Sequence, residues 1–170
     1  MKITILNGSP RKQNTAAMVD AFAEGAQAAG HEVEIIQVGK MKIAGCLACE
    51  YCHNKGNGAC IQKDDMQELY PLLAEAEVLV LASPIYYFTL SAQIQAPIQR
   101  FYSLMKPANV KKTALLLSSH SPGVYDAAIA EYKFIAGFCG YEDTGVVTAK
   151  LNEQKTDETK QKVVALVGKL

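Results

Sequence analysis

The chain has 170 residues, 49% of them hydrophobic, the size of one domain around a single core. Lys plus Arg and Asp plus Glu each number 17, so the formal net charge is zero, and no broad basic field draws nucleic acid or an anionic membrane. No uncharged apolar run approaches the ~20 residues of a membrane span. The apolar start Met1–Leu6 is broken by Gly8-Ser9-Pro10 and is too short for a secretory signal, so the expected location is the cytoplasm.

Strand-like and helix-like stretches alternate along residues 1–170, which predicts one α/β domain with a parallel sheet. Lys2–Leu6 is the first strand. A helix over Ala16–Ala29 follows, with Asn14-Thr15 as its cap, the stripe Met18, Phe22, Ala26 and Ala29, and Gly30 as its stop. Val33–Val38 is the second strand, expected at the sheet edge. Asp65-Met66-Gln67-Glu68 resembles a capping box that opens a helix to about Ala76, with Pro71 inside it.

Val78–Ala82 is a continuous apolar run, as a central parallel strand requires. Ile94, Ile98, Phe101 and Met105 form a helical stripe, and Pro97 predicts a helix start near Ala96. Thr113–Leu117 and Gly145–Thr148 are the fourth and fifth strands. The stripe Ile129, Tyr132, Ala136 and Cys139 marks the helix between them, and Thr156–Leu170 is a terminal helix. Five strands with four crossovers predict a doubly wound, flavodoxin-like sheet of order 2-1-3-4-5. The loops after strands one and three then border the ligand crevice.

The first of those loops is Asn7-Gly8-Ser9-Pro10-Arg11-Lys12-Gln13-Asn14-Thr15. A helix start directly after a strand offers free N–H groups and the positive end of a dipole. Ser9, Asn14 and Thr15 add donors, and Arg11 with Lys12 balances a dianionic phosphate. Neither G-x-x-x-x-G-K-[ST] nor G-x-G-x-x-G is present, which favours a terminal monophosphate over a nucleoside triphosphate or a dinucleotide. An ordinary, well-capped β-α turn is the alternative. The second loop, Ser83-Pro84-Ile85-Tyr86-Tyr87-Phe88, offers amides and aromatic rings to a planar group, or an aromatic surface to a second subunit. A third contribution comes from Ser118–Gly123, with Ser119, His120 and Gly123 as candidate contacts.

Four of the five cysteines fall within a glycine-marked loop at 45–60: Cys46, Cys49, Cys52 and Cys60. Clustered thiols in a cytosolic chain point to metal or redox chemistry. Four thiolates at short intervals suit a [4Fe–4S] cluster. Zinc in a Cys₄ or Cys₃His site, with His53 as the histidine, and a reduced loop without metal are the rivals. Cys139 lies on an apolar stripe and reads as a buried core thiol.

Gly8-Ser9-Pro10-Arg11-Lys12 with Asn14-Thr15 resembles the first FMN loop of the NADPH-dependent FMN reductase-like families, and Ser83–Phe88 resembles their second. Ser91-Ala92-Gln93 and Arg100 continue the likeness. Cys46-x2-Cys49-x2-Cys52-x7-Cys60 resembles the compact motif of the iron–sulfur flavoproteins, a branch of the same superfold. One departure is Gln99, where relatives commonly carry an acid, and another is Pro97.

The resemblance implies FMN, with NAD(P)H or a reduced protein as electron donor and a small molecule or protein as acceptor. It also implies a homodimer or homotetramer. A cluster at the loop after strand two would sit at the same carboxyl edge as the flavin. A cluster-free quinone or flavin reductase and a non-enzymatic carrier are the alternatives, the neutral charge counting against the carrier.

Overall fold

The computed structural model describes residues 1–170. In chain order the elements are β1 (Lys2–Asn7), α1 (Asn14–Ala28), β2 (Glu32–Ile36), α2 (Tyr51–Asn54), α3 (Met66–Glu75), β3 (Val78–Tyr86), β4 (Thr89–Leu90) and α4 (Ala92–Arg100). Then come β5 (Lys112–Ser119), α5 (Asp126–Cys139), β6 (Glu142–Lys150) and α6 (Asp157–Val167). Five strands are parallel in the order β2-β1-β3-β5-β6. This is the flavodoxin-like order expected from the sequence, with the two-residue β4 added antiparallel on β3 as a sixth strand. No helix is long and apolar enough to cross a membrane.

Alternating side chains of the central strands divide the core in two. Ile3, Ile5, Val78, Val80, Ala114 and Leu116 pack with Met18, Phe22 and Ala26 of α1 and Val163 and Leu166 of α6. Leu79, Leu81, Leu115 and Leu117 face the other way, onto Leu69 and Leu73 of α3, Ile94 of α4 and Tyr132 of α5. Burial on both faces explains why Val78–Ala82 reads as an unbroken apolar run. Cys139 is buried in the second layer, as expected, and burial pushes its thiol pKa up.

Several local expectations are corrected. α1 starts at Asn14 with no side-chain cap, because Asn14 and Thr15 spend their side chains on Leu151 and Ser118. β2 stops at Ile36, and Val38 turns into a 3₁₀ segment. The capping box at Asp65 does not form. Asp65 Oδ2 accepts the Lys42 N–H at 2.6 Å, and Asp64 Oδ1 accepts the N–H of Met66 at 3.2 Å.

α4 starts at Ala92 and carries Pro97 inside it. Tertiary anchoring overrides the proline: Ser91 N–H donates to Ser83 Oγ at 2.9 Å, and Ser91 Oγ donates to the Gly8 carbonyl at 3.0 Å. This contact also explains Gly8, where a Cβ would come within 2.7 Å of Ser91 Oγ.

β3 runs past its expected end: Ser83 and Pro84 continue the parallel ladder to β5, and Ile85 and Tyr86 pair antiparallel with β4. The two residues between them, Tyr87 and Phe88, have φ of 48° and 69°. Positive φ at both centres of a two-residue hairpin is the type I′ turn, which favours Asn-Gly and costs bulky side chains ~1–2 kcal/mol each. Replacing the pair together, Tyr87→Asn with Phe88→Gly, should raise stability in urea by about 1–2 kcal/mol. An unchanged or lower midpoint would show that the aromatics repay their strained backbone.

Candidate functional site

The sheet reverses its winding between β1 and β3, and the loops leaving β1, β3 and β5 meet there around a cleft of about 300 Å³. From the first loop come Ser9, Arg11, Gln13, Asn14 and Thr15. Asn7 Oδ1 accepts the Ser9 N–H at 3.0 Å, and Ser9 Oγ donates to the Arg11 carbonyl at 3.1 Å, which folds the loop back on itself. The N–H groups of the first turn of α1 have no side-chain cap. A helix terminus left in this state favours an anion. Lys12 is exposed and does not line the cleft.

The second loop gives Pro84, Ile85 and Tyr86. Ser83 stands behind them, fully buried, and its Oγ donates to the Pro84 carbonyl at 2.7 Å. Tyr87 and Phe88 lie at the hairpin tip, 96% and 58% exposed, outside the cleft lining. The third loop gives Ser118, Ser119 and His120. Ser119 Oγ donates to the Ser121 carbonyl and accepts from Tyr125 Oη, both at 2.6 Å. Gly123, with φ of 70°, shapes this loop without lining the cleft.

Gln13 and Ser118, which lie within the first and third loops, and Leu151, which lies outside them, complete the wall. Leu151 follows β6 with φ of 49°. Its N–H donates to the Ser119 carbonyl at 2.9 Å, and its carbonyl accepts from Asn14 Nδ2 at 3.1 Å. A leucine in the left-handed region has no sequence signature; only its two hydrogen-bonded neighbours reveal it. Thr15 Oγ1 and Ser118 Oγ share a buried hydrogen bond of 2.7 Å across the floor. Thr15→Val should cost about 1–3 kcal/mol in urea denaturation by orphaning Ser118; a loss below experimental error would mean that water replaces the partner.

Cys46, Cys49, Cys52 and Cys60 line a second, narrow cavity of about 20 Å³, with Arg100, Tyr102 and Ser103 among its other walls. Cys46 and Cys49 are exposed, Cys60 is half-buried and Cys52 is buried. Burial pushes the Cys52 thiol pKa up. Ala48 and Glu50 have φ of 51° and 56°, curling the backbone between these cysteines, and the Ala48 N–H donates to Cys46 Sγ at 3.4 Å.

No three His, Cys, Asp or Glu side chains converge closely enough to hold a metal ion. His53 does not line the cavity. Its Nε2–H donates to the Tyr102 carbonyl at 2.8 Å, and its ring meets that of Tyr102 edge-on at 4.6 Å.

The cysteine cavity and the cleft share no lining residue. α4 connects their surroundings. Ser91 at its start is hydrogen-bonded to Gly8, and Arg100 at its end lines the cysteine cavity, a helix of about 13 Å. The cysteines, expected in the loop after strand two, line a cavity against Arg100, Tyr102 and Ser103 at the end of α4 and just beyond it. Gln99 packs over the loop entrance, where a Cβ on Gly45 would come within 2.7 Å of its Oε1.

The chain resembles known proteins in sequence and in fold. An iron–sulfur flavoprotein of Archaeoglobus fulgidus is 41% identical over 101 residues, 59% of this chain and 45% of that protein. The chain spans about half the length of the curated relatives it matches. Among solved structures, RosB with its bound intermediate 8-demethyl-8-formylriboflavin-5'-phosphate superposes with a TM-score of 0.80 at 16% identity, over 99% of this chain and 76% of that one. An FMN-dependent NADH-azoreductase from Bacillus anthracis, in complex with FMN, superposes at 0.74 with 13% identity over 99% of both chains. These two likenesses are of fold. The sequence model of the NADPH-dependent FMN reductases matches residues 1–155, and the chain belongs to that family of flavin-dependent oxidoreductases.

Proposed function

We propose that the cleft binds FMN and that the chain is the flavin domain of an oxidoreductase of the iron–sulfur flavoprotein type. The observation that carries this is the convergence of the β1, β3 and β5 loops on one cleft, with an uncapped helix terminus and Arg11 at one side and Tyr86 at the other. Ser9, Arg11, Asn14, Thr15 and the first-turn amides would take the phosphate. Pro84, Ile85 and Tyr86 would face the ring, and Ser119 and His120 would close the side nearest β5. When bound, FMN accepts a hydride and passes on electrons singly or in pairs, so the protein needs no nucleophile and supplies orientation and electrostatics. NAD(P)H or a reduced protein is the donor in this reading, and a small molecule or protein the acceptor.

The donor set of the cysteine cavity fits an iron–sulfur cluster: four thiols on one loop, curled backbone between them, and an N–H···S bond already made. The cavity, about 20 Å³, has room for about one water, so a cluster held there would displace the exposed Cys46–Cys49 arm. Exposed Leu47 and Ile61 on the same loop, and Phe134 and Phe138 on α5, support a homo-oligomer in which such faces are covered. A second reading, a cluster-free NAD(P)H-dependent quinone or flavin reductase, is favoured by the absence of any converged metal-ligand trio.

Two experiments test these assignments. By calorimetry, FMN should bind more tightly than riboflavin. Arg11→Ala should weaken FMN by about one to two decades, the loss of a charge-assisted hydrogen bond worth ~1.5–3 kcal/mol, and leave riboflavin unaffected. Equal affinity for the two flavins would sink the FMN assignment. Anaerobic reconstitution with iron and sulfide should load about four irons per chain, and Cys49→Ser should lose most of them while keeping FMN. Uptake of zinc but no iron, or of neither, would leave only the cluster-free reductase.

A further inference from the structure

Arg100 is the one charged residue of the chain that is fully buried, at 1% exposure. A charge in that position is costly unless it is paired and hydrogen-bonded. Its Nη1 donates to Asp64 Oδ2 at 2.7 Å and to the Ala44 carbonyl at 3.0 Å, and its Nη2 donates to Asp64 Oδ1 at 3.2 Å. Asp64 Oδ2 also accepts the Ala44 N–H at 3.0 Å. Ala44 precedes the first cysteine of the loop and Asp64 follows the last. One guanidinium therefore ties both ends of the loop to the end of α4. Gln62 Nε2, donating to the Gly45 carbonyl at 3.0 Å, reinforces the same base.

One donor is left over. Arg100 Nε–H is buried and has no acceptor in the protein, while Arg100 itself walls the cysteine cavity. Leaving a buried donor unpaired is costly; Tyr70 Oη, buried and likewise without a partner, is one acceptor beside the guanidinium, and a ligand in the cavity that Arg100 walls is the other.

We propose that Arg100 is the positioning residue of the cysteine cavity, holding the loop through Asp64 and Ala44 and donating its Nε–H to a sulfur of the bound cluster. This rests on the reading that the cavity takes an iron–sulfur cluster. Asp64 neutralises the guanidinium, so the effect on the cluster comes through the hydrogen bond and the geometry rather than through net charge. Hydrogen bonds to cluster sulfurs raise the reduction potential. Lysine in the same place keeps the charge and loses both the fork and the Nε donor.

The test compares the wild-type chain with Arg100→Lys, each loaded anaerobically with FMN, iron and sulfide. Three quantities are read: iron release to a chelator, the cluster potential, and hydrogen exchange across residues 45–63. The variant should keep FMN, release iron about tenfold faster, equivalent to about 1.4 kcal/mol, show a lower potential and exchange the loop amides faster. Equal release rates and potentials in two loaded proteins overturn the proposal. Faster release at an unchanged potential overturns the donor role and leaves only a structural clamp. A wild type that takes up no iron brings down the cluster reading itself, and the proposal with it. Should Arg100→Lys fail to fold, Asp64→Asn loosens the same fork from the other side. Unchanged iron release and loop exchange there overturn the proposal equally.

Discussion

The constraint on which the site depends is the reversal of winding between β1 and β3. A parallel strand must be followed by a crossover, and crossovers on opposite faces diverge at the point where the order reverses. The loops after β1 and β3 therefore leave the sheet side by side with nothing packed between them. The register at this point is apolar, Ile5 beside Val80 and Leu6 beside Leu81, so the two loops start from a rigid base. Gly8 is the close-packed joint: its carbonyl accepts from Ser91, and its missing side chain lets α4 approach. The β1 and β3 sides of the cleft are thus joined at Gly8, whose N–H also donates to the Ala82 carbonyl at 2.8 Å.

The cysteine loop depends on a different kind of interaction. Its interior from Gly45 to Cys60 has little regular structure, one four-residue helix, and its base is stitched by side chains onto backbone. Asp65 takes the Lys42 amide, Asp64 takes the Ala44 amide, and Gln62 donates to Gly45. Burial alone would raise the Asp64 pKa, but hydrogen bonds from Arg100 and Ala44 outweigh it and hold the carboxyl below its ordinary value. A group shifted in this direction stabilises the fold above its unfolded pKa and loses that contribution as pH falls through its folded value. At neutral pH the base of the loop is therefore closed, while Cys46 and Cys49 stand exposed on its outer arm.

Much of this was legible in the sequence. The parallel strands, their order and the loops around the cleft follow from apolar runs, glycine stops and the position of two motifs. The misread details share one physical cause, competition by tertiary contacts. Asn14 and Thr15 look like caps, but Leu151 and Ser118 claim their side chains. Asp65 looks like a cap, but the Lys42 amide lies closer to hand. Pro97 looks like a helix start, but the anchoring of Ser91 outweighs it. Leu151 carried no signal at all, because its role depends on a backbone conformation and not on its side-chain chemistry. The burial of Arg100 was equally hidden, since a lone arginine at the end of a helix most often reads as exposed.

The account's central claim is that one chain carries a flavin cleft and a separate iron–sulfur cavity, bridged by α4. The most direct measurement is the visible spectrum of protein purified without oxygen, with flavin and iron counted on the same sample. The account predicts a flavin band over a broad iron–sulfur absorption, one FMN and about four irons per chain. A colourless protein that cannot be loaded with flavin would contradict it.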